Sequence, residues 1–154
     1  MNIAYFLIPK SNVAYLYDDC TIRQGLEKMR HHGYTAIPVI DREGRYVGTV
    51  SEGDFLWRML DPDHVSEEPS FTMKDMERLH VRDILKGNHP PVPITVSVED
   101  LLQSAMTQNF VPVVDDLGHF IGIVTRRDFI RCVTARDGRI CMENPAQNPA
   151  LKFV

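Results

Sequence analysis

Short apolar runs and a helical apolar repeat alternate along the first 60 residues. The segments VAYLY (13–17) and TAIPVID (35–41) are rich in β-branched and aromatic residues and predict strands. Between them, apolar residues recur at helical spacing behind a threonine suited to an N-cap: Ile22, Leu26 and Met29 after Thr21. This stretch therefore predicts a strand, a helix and a second strand.

A hairpin turn at Gly44 follows the second of these strands. The segment RYVGTV (45–50) predicts the returning strand, and a helix follows from about residue 53 to residue 60. The second half repeats this order, with strands at 92–95, 111–115 and 120–124, a turn at Gly118, and helices at 98–108 and 127–135. The pattern predicts an α/β chain of the α+β kind, built as β-α-β-β-α twice.

The two halves are also related residue by residue. The segment IPVIDREGRYVGTVSEGDFL (37–56) aligns without a gap with VPVVDDLGHFIGIVTRRDFI (111–130), and eight of the twenty pairs are identical. Composition alone gives roughly one or two identities. A repeat that covers half of the chain indicates two copies of one structural unit.

The repeat divides the chain into a first repeat at 1–60, a linker at 61–80, a second repeat at 81–135 and a C-terminal tail at 136–154. Residues 61–72 are acidic and contain two prolines, which predicts an irregular segment. A helix is predicted over 73–86, and the tail is expected to be irregular.

Composition limits the partners and the compartment. The formal net charge of −4 and the pI near 5.8 do not favour nucleic acid or an anionic membrane surface. The three cysteines, Cys20, Cys132 and Cys141, are odd in number and lack metal-type spacing, which predicts reduced thiols in a cytoplasmic protein. The apolar start has no cationic segment and is cut short by Pro9 and Lys10, so we expect neither a signal peptide nor a membrane span.

Patterns typical of catalysis are absent from the sequence. It contains neither a phosphate-binding P-loop nor the strand-turn-helix signature of a serine nucleophile. His31 and His32 are adjacent and therefore point in different directions on a helix, which does not suit a metal. We expect no enzyme activity, no metal and no catalytic cofactor.

One hexapeptide pattern ends both hairpins: SEGDFL (51–56) and TRRDFI (125–130). It has two interpretations. A Ser or Thr followed three residues later by an acid is a helix N-cap with its capping partner, which contributes ~0.5–2 kcal/mol. The other interpretation is a ligand site. Three features favour this interpretation: the pattern recurs, a Gly-aliphatic-Val strand precedes it, and the acid is Asp in both copies. If capping were its sole role, Glu would be expected, because its longer side chain reaches the capping position better.

This combination resembles the cystathionine-β-synthase (CBS) domain, and two copies in tandem resemble a Bateman module. The resemblance covers residues 5–135. Both copies match the signature aliphatic-P-V-aliphatic-D-x-x-G-x-apolar-x-G-apolar-apolar-S/T-x-x-D-apolar, with Thr49 at one of the apolar positions of the first copy. The resemblance implies two repeats packed as a pseudo-twofold pair, with adenosine-containing ligands in the clefts between them.

The chemistry of the pattern fits such a ligand. The carboxylates of Asp54 and Asp128 can accept hydrogen bonds from both ribose hydroxyls. The hydroxyls of Ser51 and Thr125, with the amides that begin each helix, can meet a phosphate. By the resemblance, the cleft at Thr125 and Asp128 also includes Lys10, Ser11, Ala14, Thr35, Ala36 and Ile37. By internal symmetry, the cleft at Ser51 and Asp54 includes Phe110, Val111, Lys86 and Asn88.

The two predicted clefts differ in charge. Arg126 and Arg127 stand beside Asp128, whereas Glu52 and Gly53 stand beside Asp54. A charge ~5 Å from a phosphate contributes about 3 kcal/mol at an effective dielectric constant of ~20, before desolvation and screening. We therefore expect the cleft at Asp128 to hold phosphates better.

The sequence predicts a stand-alone regulatory module that binds an adenine nucleotide and signals to a partner protein, since the chain has little room for an attached enzyme. AMP, ADP, ATP and cyclic di-AMP are the ligands that the resemblance and the arginines favour. Apolar stripes on the helices predict a homodimer: Leu26 and Met29, Leu102 and Met106, and Phe55, Leu56 and Met59. The alternative is a ligand-free dimeric scaffold in which both aspartates only cap helices.

Overall fold

The computed structural model describes residues 2–60, 72–87 and 89–134. The strands are β1 (Ile8–Pro9), β2 (Leu16–Tyr17), β3 (Ala36–Ile40), β4 (Tyr46–Ser51), β5 (Val92–Pro93), β6 (Phe110–Val114) and β7 (Phe120–Thr125). The helices are α1 (Ile22–His32), α2 (Glu52–Met59), α3 (Met73–Arg78), α4 (Val98–Thr107) and α5 (Arg126–Thr134). Both halves contain the predicted β-α-β-β-α order, and the α+β fold class is confirmed.

The strands form two sheets, one of order β2-β3-β4 and one of order β1-β7-β6-β5. Each sheet contains an antiparallel hairpin and a short strand parallel to the hairpin's first strand. The hairpin registers are equivalent, because Ala36 lies opposite Ser51 and Phe110 lies opposite Thr125. The hexapeptides therefore occupy matching places at the ends of the two hairpins.

The turn ends of the hairpins bind each other. The amide of Tyr46 donates to the carbonyl of Gly118 at 3.1 Å, and the amide of Phe120 donates to the carbonyl of Gly44 at 2.9 Å. This exchange is reciprocal, as a twofold relation between the repeats requires. Ala36 and Phe110 belong to one buried apolar cluster that also contains residues of both sheets.

The beginning of each repeat packs into the core of the other. Ile8 in β1 pairs with Ile123 in β7, and Ile3 and Phe6 are buried with Phe129 in the second core. Residues 81 and 84, both apolar and buried, pack in the first core with Leu16, Phe55 and their neighbours. Each of these two hydrophobic cores therefore contains residues of both sequence repeats. Strand β1 was not predicted, because two residues are too short for a periodic pattern.

The predicted helix over 73–86 is wrong beyond Arg78. The chain becomes extended at Leu79, whose carbonyl accepts a hydrogen bond from the amide of Ile22 at 3.0 Å. The amide of Val81 then donates to Cys20 at 2.9 Å, and a 3-10 turn covers Val81–Asp83. Tertiary hydrogen bonds to the segment before α1 replace the helical ones.

The predicted strand at 13–17 is confirmed only for Leu16–Tyr17. The segment before it contains a 3-10 turn at Lys10–Asn12 and an extended residue at Val13. The expectations for residues 61–71 and for the tail from residue 135 onwards lie outside the described residues.

We predict that Gly122→Ala destabilises the fold. A Cβ at Gly122 would overlap the carbonyl oxygen of Ile8 and lie 2.9 Å from Cδ1 of Leu7, so β1 would have to move. Overpacking of this kind costs about 1–3 kcal/mol, and each kcal/mol lowers the melting temperature by about 2–4 °C at this size. Gly53→Ala is the control, since the nearest atom to a Cβ at residue 53 would lie at an ordinary contact distance of 3.6 Å. A Gly122→Ala melting temperature equal to that of the parent would contradict the predicted close contact.

Candidate functional site

The SEGD segment that begins α2 forms a helix cap with a charged neighbour. Asp54 Oδ2 accepts hydrogen bonds from the Ser51 amide at 2.8 Å and from the Ser51 hydroxyl at 3.0 Å. The Ser51 hydroxyl in turn accepts from the Asp54 amide at 3.3 Å. The second carboxylate oxygen, Oδ1, lies 4.0 Å from the ammonium nitrogen of Lys86. One oxygen therefore caps the helix while the other faces a cation.

A histidine, His89, also lies near Asp54. Burial lowers the pKa of His89, and the negative charge of Asp54 partly opposes this shift. The carbonyl of His89 accepts a hydrogen bond at 2.7 Å from the hydroxyl of Tyr46, which lies 2.8 Å from the hydroxyl of Thr49. Burial raises the pKa of Tyr46 to about 12, so this phenol stays protonated at neutral pH. The backbone at His89 is thereby attached to β4, the strand that leads to Ser51.

The TRRD segment that begins α5 forms the equivalent cap. The hydroxyl of Thr125 donates to Asp128 Oδ2 at 2.6 Å and accepts from the Asp128 amide at 3.1 Å. The guanidinium of Arg126 donates to the side-chain oxygen of Asn109, and the Arg126 amide donates to the Asn109 carbonyl at 3.0 Å. Arg127 is exposed. Of the two predicted arginines, one is therefore held at the entrance to β6 and the other extends into solvent.

The same Ser/Thr-x-x-Asp cap begins two other helices. Thr72 and Asp75 cap α3 with bonds of 2.8 Å from the Thr72 amide and hydroxyl to Asp75 Oδ2. The hydroxyl of Ser97 donates to Asp100 Oδ2 at 2.8 Å at the start of α4. The capping interpretation of the hexapeptide is confirmed. What distinguishes Asp54 and Asp128 is their place behind a hairpin strand rather than the cap itself.

The remaining predicted site residues are distributed over both sheets. In the register of β1, Pro9 lies opposite Gly122, so Lys10 and Ser11 follow towards the hairpin turn of β7 rather than towards Thr125. The ammonium of Lys10 lies 5.1 Å from the ring centre of Tyr15. Ala14 is partly buried against the first core.

The cross-repeat parts of the two clefts stay predictions. The carbonyl of Thr35 accepts from the Glu52 amide at 3.0 Å, and Ala36 lies opposite Ser51 within its own sheet. Ile37 and Val111 are fully buried strand residues. The predicted residue Asn88 lies outside the described residues.

Sequence reasoning missed His89, Asn109 and Tyr46 as neighbours of the candidate clefts. His89 and Asn109 lie in irregular segments just before a strand, where no periodicity marks them. Tyr46 could have been noticed, because its aligned partner Phe120 lacks the hydroxyl.

The described residues contain no group of three His, Cys, Asp or Glu side chains able to hold a metal ion. In the same part of the chain, no helix combines the length and apolar character needed to cross a bilayer. Burial raises the pKa of the Cys20 thiol to about 11, which keeps it protonated at neutral pH. Cys141 lies outside the described residues.

The family model for the CBS domain matches the chain twice, at residues 7–61 and 81–135. Two such repeats in one chain define a tandem CBS pair, and the chain belongs to the CBS-domain family. A protein of Methanocaldococcus jannaschii is 26% identical over 141 residues, which cover 77% of this chain and 84% of that protein. An A-adding tRNA nucleotidyltransferase of Aquifex aeolicus is 30% identical over 119 residues, but the matched part is only 13% of that enzyme.

Solved structures of other CBS proteins have the same fold. The CbpB protein of Listeria monocytogenes in complex with c-di-AMP is 27% identical, with a TM-score of 0.70 over 85% of this chain and 93% of that chain. CBSX2 in complex with AMP is 26% identical, with a TM-score of 0.68 over 86% of this chain and 95% of that chain. Both of these similar proteins carry an adenine nucleotide.

We predict that Tyr46→Phe loosens the cleft at Asp54. The substitution removes the hydrogen bond to the His89 carbonyl, which contributes about 0.5–1.5 kcal/mol, while Phe120 shows that the fold accepts phenylalanine at the equivalent place. Chemical denaturation should show this loss of unfolding free energy, and the amides of His89 and Val92 should exchange faster. Tyr5→Phe is the control, because Tyr5 is 69% exposed. Equal stability and exchange in both variants would contradict a holding role for the Tyr46 hydroxyl.

Proposed function

We propose that the chain is a regulatory module that binds an adenine nucleotide in the clefts between its repeats and transmits the bound state to a partner protein. The observation that carries this proposal is the pairing of a partly buried carboxylate with a cation at Asp54 and Lys86. A ribose needs acceptors for two hydroxyls, and a phosphate beside it needs a positive charge. Asp54 and Lys86 supply both within one cleft.

The cleft at Asp128 offers a related set of groups. The Asp128 carboxylate can accept from ribose, and Arg127 is an exposed cation one residue away. Arg126 is already bonded to Asn109, so a phosphate would compete with that amide oxygen for the guanidinium. We expected this cleft to hold phosphate better than the cleft at Asp54, because Arg126 and Arg127 stand beside Asp128 whereas Glu52 stands near Asp54. Lys86 reduces that difference because it places a cation beside Asp54, and we propose that both clefts bind nucleotide.

The class of ligand is AMP, ADP, ATP or cyclic di-AMP. Membership in the CBS family and the nucleotides carried by CbpB and CBSX2 support an adenosine ligand. A cation in each cleft supports a ligand with phosphate. Regulation requires that the ligand prefer one of two shapes of the molecule, and clefts between two halves can change when the halves move. In this proposal the chain acts by binding, without catalysis.

A ligand-free dimeric scaffold is the second candidate function. The observation in its favour is that Asp75 and Asp100 make the same capping bonds as Asp54 and Asp128 at helices that do not follow a hairpin. On this view all four aspartates stabilise helices and none binds a nucleotide.

We predict that Asp128→Ala and Asp54→Ala each weaken nucleotide binding. Loss of a charge-assisted acceptor costs ~1.5–3 kcal/mol, or roughly ten- to a hundredfold in the dissociation constant. Calorimetric titration with AMP, ATP and cyclic di-AMP measures the effect, with melting curves in parallel. Asp100→Ala is the matched control, because it removes the same kind of cap from α4.

The control separates the two functions. If the nucleotide proposal is correct, all three variants lose about 1 kcal/mol of stability, but only Asp54→Ala and Asp128→Ala lose affinity. If the parent binds none of the three nucleotides, or if the three variants behave alike in titration, the scaffold is the better account.

We also propose that the module is a homodimer. Met29 and Phe55, two members of the predicted apolar stripes, are buried in the first core and therefore do not contribute to a dimer surface. The large apolar side chains that remain exposed on the helices are Leu56, Trp57, Leu60, Met73, Leu102, Met106 and Ile130. So many exposed apolar side chains on a small domain indicate a binding surface.

We predict a dimer at micromolar concentration in light scattering. Trp57→Ala should shift the chain towards the monomer, because Trp57 is 63% exposed and a tryptophan contributes a large apolar area to an interface. Tyr5→Ala is the control at a comparably exposed aromatic residue. A parent chain that is monomeric at this concentration would contradict the homodimer proposal, while the proposal of nucleotide binding would stand.

A further inference from the structure

Each repeat has one lysine at the same place before its first short parallel strand. Lys10 lies six residues before the start of β2, and Lys86 lies six residues before the start of β5. Next to each lysine, the chain packs against the aligned glycine of a hairpin, Gly122 of β7 in one case and Gly48 of β4 in the other. The two lysines therefore start from equivalent places in the two halves.

Their ammonium groups nevertheless have different partners. The ammonium nitrogen of Lys86 lies 4.0 Å from Asp54 Oδ1. That of Lys10 lies 5.1 Å from the ring centre of Tyr15. Within the part of the chain that the structure describes, Asp128 takes part in no ion pair. One capping aspartate therefore has a lysine beside it, and the other does not.

An aromatic ring that is present in only one repeat accounts for this difference. Counted from the starts of β2 and β5, Tyr15 corresponds to Pro91 and Tyr17 corresponds to Pro93. The face of a phenol ring attracts an ammonium group, and a proline offers no such face. The lysine of the second repeat has no aromatic ring to bind at the equivalent place, and it stays with the carboxylate.

The ring of Tyr15 is itself held in place. It packs edge-on against Tyr17 and Phe120, with 5.8 Å and 6.3 Å between ring centres. The guanidinium carbon of Arg42 lies 4.0 Å from the ring centre of Tyr17, and the same guanidinium donates to both carboxylate oxygens of Asp19 at 2.8 and 2.9 Å. The ring is therefore a fixed surface to which a lysine can return.

A second lysine shares this ring and limits how firmly Lys10 is held. Lys28 lies 5.2 Å from the ring centre of Tyr15, and its ammonium donates to the Tyr15 carbonyl at 2.6 Å. Lys10 is half-buried, and its ammonium makes neither a hydrogen bond nor an ion pair with any described residue. Two ammonium groups near one ring repel each other. Lys28 therefore stays on its carbonyl, whereas Lys10 can leave for a phosphate, which is a stronger partner.

We propose that Tyr15 is a positioning residue that holds Lys10 away from the cleft at Asp128 and so makes the two nucleotide clefts unequal. The inference rests on the nucleotide proposal above and specifies how its two sites differ. In the cleft at Asp54, Lys86 is in place before the ligand arrives. In the cleft at Asp128, Lys10 has to leave the ring to reach the phosphate, and the loss of that contact lowers the affinity.

The binding test uses an Asp54→Ala background, in which titration reads the cleft at Asp128. Tyr15→Leu removes the ring and should tighten AMP binding about two- to fivefold, which is the equilibrium equivalent of one exposed cation–π contact. Adenosine has no phosphate, so its affinity should stay the same. Tyr15→Phe is the matched control, because it keeps the ring and should bind AMP as the background does. Lys10→Met added to Tyr15→Leu should remove the gain.

A measurement without ligand tests the contact itself. In NMR spectra of the parent chain, the ring of Tyr15 should shift the side-chain methylene protons of Lys10 upfield. The shift should persist in Tyr15→Phe and disappear in Tyr15→Leu. Lys86, which corresponds to Lys10 but has no ring beside it, is the internal reference.

The outcomes separate this inference from the nucleotide proposal. Unchanged or weaker AMP binding by Tyr15→Leu would overturn the inference, because a ring with only a structural role would produce no gain. Equal gains for AMP and adenosine would overturn it as well, since Lys10 acts on the phosphate. A parent that binds AMP without the upfield shift would overturn this inference alone. A parent that binds no nucleotide would overturn the proposed function and this inference together, whether or not the shift is present.

Discussion

The contact between β1 and β7 holds the two repeats in one structure. The carbonyl of Ile8 approaches the backbone of Gly122 so closely that a side chain there would overlap it. This contact carries Ile3 and Phe6 into the second core, where they pack with Phe129. In return, Val81 and Ile84 fill the first core. Since each half completes the core of the other, the proposed clefts between the halves would have walls that both cores support.

In the nucleotide proposal, a stabilising helix cap also serves as part of a binding site. A capping aspartate has two oxygens, and the cap needs only one. At Asp54, Oδ2 receives the Ser51 amide and hydroxyl, and Oδ1 faces Lys86. At Asp100 the capping bond is the same, but the residue lies at the start of α4 rather than behind a hairpin. In that proposal, position in the fold and not the local hydrogen bond distinguishes the caps that bind a ligand from those that do not.

Divergence between the repeats has produced two surfaces from one pattern. Helices α2 and α5 begin with the same cap and bury the same phenylalanine, Phe55 or Phe129. Their outward positions carry Glu52 and Trp57 on one and Arg127 and Arg131 on the other. Buried positions are constrained by packing, whereas exposed positions can change at little cost in stability. Charge and aromaticity on the outside are consequently free to specify partners.

The amino-acid sequence by itself determined the order of elements in each repeat, the hairpins at Gly44 and Gly118, and the caps at Ser51 and Thr125. These features depend on neighbours within a few residues, so periodicity and turn chemistry reveal them. Only the tertiary structure decided that β1 joins the second sheet, that the predicted helix over 73–86 stops at Arg78, and that His89 lies near Asp54. Each of these is set by hydrogen bonds or packing between segments far apart in the chain, and such contacts leave no local pattern to read.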